Sequence, residues 1–138
     1  KTNVICKRAF VKRKKFKTMK NQTVVIQIKL SNDWLGTTSE LDYRHNLEED
    51  FSKILEPLNI GYCDGGQIGA GTMEIFIEEV SDIDFALDVI LQHLKSLEIK
   101  PEYKVAWRKN TASSSEKYKV AFASNKNRLF SFSFFDFE

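Results

Sequence analysis

Residues 23–30 (TVVIQIKL) alternate. Val24, Ile26, Ile28 and Leu30 fall on one face, and Val25, Gln27 and Lys29 on the other, the period of a strand with an apolar and a mixed side. A polar stretch with Gly36 interrupts the pattern. From Ser39 the period becomes helical: Leu47, Phe51, Ile54, Leu55 and Leu58 form one apolar stripe. Ser39 and Asp42 read as a capping box, Glu40 and Asp42 suit the positive end of the helix dipole, and Pro57 marks the far end. Residues 60–63 fit a short strand and 64–71 a glycine-rich connection. Residues 72–80 (TMEIFIEEV) alternate again, with Met73, Ile75 and Ile77 inward and Glu74, Phe76 and Glu78 outward. Ser81-Asp82-Ile83-Asp84 repeats the helix-start chemistry. Ile83, Leu87, Ile90, Leu91, Leu94 and Leu97 then give a second stripe, ending near Glu98 ahead of Pro101. Residues 102–109 place Tyr103, Val105 and Trp107 on one side, residues 117–124 alternate through Tyr118, Val120 and Phe122, and residues 129–137 through Phe130, Phe132 and Phe134.

Strand, helix, strand, strand, helix, strand is a split β-α-β order, and it predicts an α+β domain. Two amphipathic helices would cover one face of an antiparallel sheet, with one or two C-terminal strands extending it. The reverse face is then left to the tail, a second copy or a partner. A chain of 138 residues with 42% hydrophobic side chains supports one such domain, over residues 23–138. Charge divides it from what precedes. Residues 1–22 hold nine lysines and arginines and no acid, whereas the other 116 residues hold twelve basic and nineteen acidic side chains, a balance of −7. A solvated basic arm, or a leader ahead of the working protein, thus precedes an acidic body. No apolar run reaches the ~18–20 residues of a membrane span. Cys6 and Cys63 stand far apart outside any metal-ligand spacing, and a reducing, cytoplasmic setting is expected.

The opening strand VVIQIKLS, the helix around Arg44-His45-Asn46-Leu47-Glu48, the segment GYCDGGQIGAGTMEIFIEE and the acid-led helix DIDFALDVILQHL are the parts that carry a resemblance. Over residues 23–108 the chain resembles a group of small uncharacterised bacterial proteins with a ferredoxin-like fold. The resemblance implies a βαββαβ two-layer sandwich. It carries over no catalytic residue.

The chemistry is sparse. Gly65, Gly66, Gly69 and Gly71 invite a ligand-loop reading, but a phosphate loop leads into a helix N-terminus and here a strand pattern follows; a hairpin accounts for them better. Cys63, His45 and Asp42 or Asp64 have the residue types of a nucleophile, base and orienting acid, with no spacing that brings them together. His93 lies beside the second stripe with no acid partner evident in sequence. No metal site, cofactor or catalytic set is expected. Glu74, Phe76 and Glu78 form an acidic and aromatic patch suited to a basic partner. The expected function is therefore a non-enzymatic protein-binding module of the bacterial immunity or antitoxin type, facing a basic toxin. A homodimer is a further arrangement. Two other readings stand beside it: a nucleic-acid binder using residues 1–22 and an aromatic sheet face, and a small-molecule sensor on the same frame.

Overall fold

The computed structural model describes residues 21–32, 35–110 and 117–125. The chain runs β1 (Gln22–Lys29), α1 (Thr38–Leu55), a 3-10 turn (Glu56–Leu58), β2 (Tyr62–Gly69), β3 (Thr72–Val80), α2 (Ile83–Ser96), β4 (Tyr103–Lys109) and β5 (Lys119–Ala123). The five strands form one sheet in the order β2-β3-β1-β4-β5. Every neighbouring pair is antiparallel. The expected α+β class and antiparallel sheet are thus present. The expected strand over 129–137 and the basic arm, save its last two residues, lie outside the described residues.

β1 is the central strand, and its burial shows it: Thr23 through Ile28 are all buried. Its even positions meet the helices. Val24, Ile26 and Ile28 join Leu47, Phe51 and Leu55 of α1 and Ala86, Ile90 and Leu94 of α2 in a single cluster with Ile75, Ile77 and Val105. Ile26 lies opposite Ile75 on one side and Val105 on the other, so one apolar row crosses three strands beneath the helices. Both helices therefore pack on the same face. Phe51 is fully buried there, and its ring meets the His93 ring edge-on at 5.3 Å, joining α1 to α2.

The ends of the elements correct the sequence reading in three places. The N-cap of α1 is Thr37, two residues before Ser39: the Thr37 hydroxyl accepts from the Glu40 amide, and the Glu40 carboxylate accepts from the Thr37 amide. Glu40 also accepts from the amide and hydroxyl of Ser31 at 2.9 and 3.0 Å, so the longer acid joins the helix start to the end of β1. Burial pushes the Glu40 carboxyl up, but the four hydrogen bonds from Ser31 and Thr37 together outweigh it and hold the group below its ordinary value.

The second correction concerns residues 64–71. They are mostly strand: β2 runs through to Gly69, and only Ala70 and Gly71 turn the hairpin, both at positive φ (55° and 83°). Two residues of that hand match the right-handed twist of the flanking strands. Between Cys63 and Gly66, β2 spends one residue more than β3, and Gly65 takes φ 81° in that bulge.

The third is in β5. The step from Val105 to Ala106 in β4 is matched by Phe122 to Val120, leaving Ala121 as an extra residue. The bulge breaks the expected alternation. Phe122 packs at the margin of the helix-side core, 5.5 Å from the Tyr103 ring. Tyr118 packs on the opposite side with Val25, Ala106 and Phe76.

Candidate functional site

Two places gather polar side chains. The first is the sheet face turned away from the helices. Register aligns Gln67, Glu74, Gln27 and Lys104 across four adjacent strands. Three of these are almost wholly buried: Gln27 at 0%, Glu74 at 1% and Lys104 at 4% exposure. The Glu74 carboxylate accepts from Thr72 Oγ1 at 2.6 Å, Gln27 Nε2 at 3.0 Å and Gln67 Nε2 at 3.2 Å. Such a set satisfies a buried carboxylate that would otherwise be costly to desolvate. Burial holds the Lys104 ammonium below its ordinary value. Among the described residues, Gln27 Oε1 has no hydrogen-bond partner.

Next to this row runs an apolar one, Phe76–Val25–Ala106, capped by Tyr118. Beyond it comes a second polar row. Thr23 Oγ1 donates to Glu78 Oε1 at 2.8 Å and accepts from Asn110 Nδ2 at 2.8 Å. Arg108 lies 4.6 Å over the Tyr118 ring. Burial pushes the Tyr118 phenol up to about 12, against the pull of Arg108 and with a further push from Glu78.

Of the patch expected to receive a partner, then, Glu74 is inside the protein, Phe76 is half-buried and Glu78 is partly exposed. Sequence alternation placed all three on the reverse face. It carried no signal of whether that face is covered.

The second place is the outer edge of β2. Among the described residues, β2 pairs only with β3. Tyr62 lies opposite Glu78. Its phenol is raised, first by the charge of Asp64, then by partial desolvation, then by Glu79 and Glu78. Glu79 is exposed and held at φ 52°, where β3 spends one residue more than β1 between Ile77 and Val80. A non-glycine residue in that conformation is uncommon. Edge, aromatic ring and three acids therefore share one corner of the sheet.

The Cys63, His45 and Asp42 set finds no support in these contacts. His45 is exposed, with its ring nitrogen 3.4 Å from Arg44. Burial pushes the Cys63 thiol up, the Gly65 amide opposes this, and Glu48, Asp64 and Glu56 add to it. A thiol so placed is a poor nucleophile at neutral pH. His93 has a partner that its sequence neighbourhood did not reveal: Nε2 lies 3.2 Å from Asp50, forty-three positions away on α1. Gly65, Gly66, Gly69 and Gly71 form a bulged strand and its turn. Gly66 is fixed by close approach, since a Cβ there would collide with the Glu74 carbonyl oxygen and crowd Arg44 and Glu48 at 2.8 Å. Arg44 and Glu48 themselves pair at 3.1 Å. No group of three or more metal-ligating side chains occurs among the described residues, and no helix among them is long and apolar enough to cross a membrane.

Comparison with models of known families, with curated proteins and with solved structures finds no match.

Proposed function

We propose that this chain is a protein-binding module that docks a basic partner along the outer edge of β2. The observation that carries the reading is the corner itself: an edge strand unpaired among the described residues, flanked by Asp64, Glu78 and Glu79 around Tyr62. An unpaired edge offers backbone donors and acceptors to an extended segment, and the acids select lysine and arginine side chains on it. Contacts assigned to Glu74 and Phe76 in sequence move to Asp64 and Glu79, with Glu78 retained. The strand order favours a ferredoxin-like frame, extended by β5, and an immunity or antitoxin-type role is the proposed biological setting.

The test is a titration of the full-length protein with an extended lysine- and arginine-rich peptide, followed by backbone amide shifts. Shifts concentrated in residues 62–69, weakening at least tenfold between about 50 and 200 mM salt, are expected for several exposed charge contacts. In the Asp64→Lys/Glu79→Lys double variant they should vanish. Shifts spread evenly over the surface, or unchanged in the double variant, would refute the assignment. With the edge assignment established, the product of the adjacent gene is the first natural partner to examine by pull-down.

A further inference from the structure

We propose that the border of the sheet formed by β4 and β5 is a binding strip for single-stranded nucleic acid, in which Trp107 and Phe122 stack bases and four lysines hold phosphates. The strip lies on the helix side of the sheet. Trp107 and Phe122 are half-buried there, at the margin of the core. Each ring has a lysine over it. Lys119 Nζ lies 5.5 Å from the centre of the Trp107 ring, and Lys95 Nζ, from α2, lies 5.1 Å from that of Phe122. Register makes the two rings neighbours: Lys119 faces Trp107, and Phe122 faces Val105, two positions before Trp107 on the same side. Lys109 comes two positions after Trp107, and Lys117 two before Lys119. All four lysines are exposed. None of them has a carboxylate within ion-pair distance among the described residues.

A strip that pairs each ring with a cation matches the repeat of a single strand, which pairs each base with a phosphate. Every base has a flat π-face, so stacking on an aromatic ring needs no particular sequence, whereas a duplex keeps its bases stacked on one another. A lysine over an exposed ring is held more weakly than a stacked base. An arriving base therefore takes the ring, and the displaced ammonium turns to the adjacent phosphate. An acidic peptide would satisfy the lysines and leave both rings unused.

The acidic corner at Tyr62 does not cancel this charge. It borders β2, at the other end of the sheet order from β5. Five strands at about 4.8 Å spacing put the two borders ~19 Å apart, more than two screening lengths of about 8 Å at physiological salt.

The sequence holds two tryptophans, Trp34 and Trp107. In full-length Trp34→Phe the indole fluorescence therefore reports on Trp107 alone. Titration with a short oligothymidylate should quench it by roughly half or more, as a base stacks on the ring. In Lys95→Gln/Lys119→Gln on the same background, the slope of log affinity against log salt should shrink by about 1.4, the share of two phosphates on a single strand. Phe122→Leu should weaken binding about fivefold or more with the slope unchanged. Residues 1–22, with nine positive charges, attract any polyanion, and inorganic polyphosphate separates that attraction from stacking because it has no bases. Unchanged Trp107 fluorescence with oligothymidylate overturns the proposal. So does equal quenching by polyphosphate, or an unaltered slope in the double lysine variant. Polyglutamate that competes as well as oligothymidylate assigns the strip to an acidic protein and overturns it too. The quenching is read with every strip residue intact, so it decides the matter even if a strip variant fails to fold.

Discussion

Tyr118 shows how one side chain links burial to pH. Its phenol is pushed up to about 12 by burial, with Arg108 pulling the other way and Glu78 adding to the rise. In the unfolded chain the same phenol titrates near its ordinary value of 10.0. Between those limits the folded state holds the proton that the unfolded state gives up. The Tyr118 contribution to stability is therefore complete below about pH 10 and falls as pH rises toward about 12. Urea midpoints measured from pH 9 to 12 should show this decline, and Tyr118→Phe should remove the Tyr118 share of it, leaving the share of the other raised phenols, Tyr43, Tyr62 and Tyr103. The sequence announced Tyr118 as a strand residue, but its environment was hidden. The ring lies on the reverse face only because Ala121 is an extra residue in β5, and alternation alone cannot reveal an inserted residue. His93 and Asp50 were hidden for another reason. Neither residue type nor local spacing encodes a contact between two helices across forty-three positions.

At the scale of elements, legibility followed periodicity. β1, β3 and both helices stand where their apolar repeats put them, because each buries a stripe that the sequence displays. Starts and turns were less readable. Thr37, Thr38 and Ser39 offer three neighbouring hydroxyls, and the choice fell to Thr37 because Glu40 reaches both its amide and Ser31, which lies nine residues back. The sequence of β2 reads as mostly connection because its glycines show no alternation, whereas its pairing rests on backbone fit. That fit makes Gly66 a sharp probe. Gly66→Ala would press a methyl group against the Glu74 carbonyl and the Arg44–Glu48 pair, with an expected loss of about 1–3 kcal/mol in denaturant unfolding. Gly65→Ala meets open space, so its cost should come from its positive φ alone and be the smaller of the two.

Across the whole molecule, one core joins two helices to the sheet, and Phe51 stands near its centre. Phe51→Ala should cost about 3–5 kcal/mol, a large part of the ~5–15 kcal/mol that holds a domain of this kind together. Thermal unfolding followed by circular dichroism should show both helices and sheet melting earlier in a single transition. The corner at Tyr62 was only partly visible from the sequence. Alternation exposed Glu78, but the placing of Asp64 and Glu79 near Tyr62 goes with two bulges that sequence period cannot register.

Those irregularities reach further than the corner. Among the described strands, the outermost two, β2 and β5, carry one surplus residue against their inner neighbours. Identical molecules approaching rim to rim would meet misaligned backbone and, at the β2 border, carboxylate against carboxylate. Self-templated stacking along the β2 border is thereby discouraged.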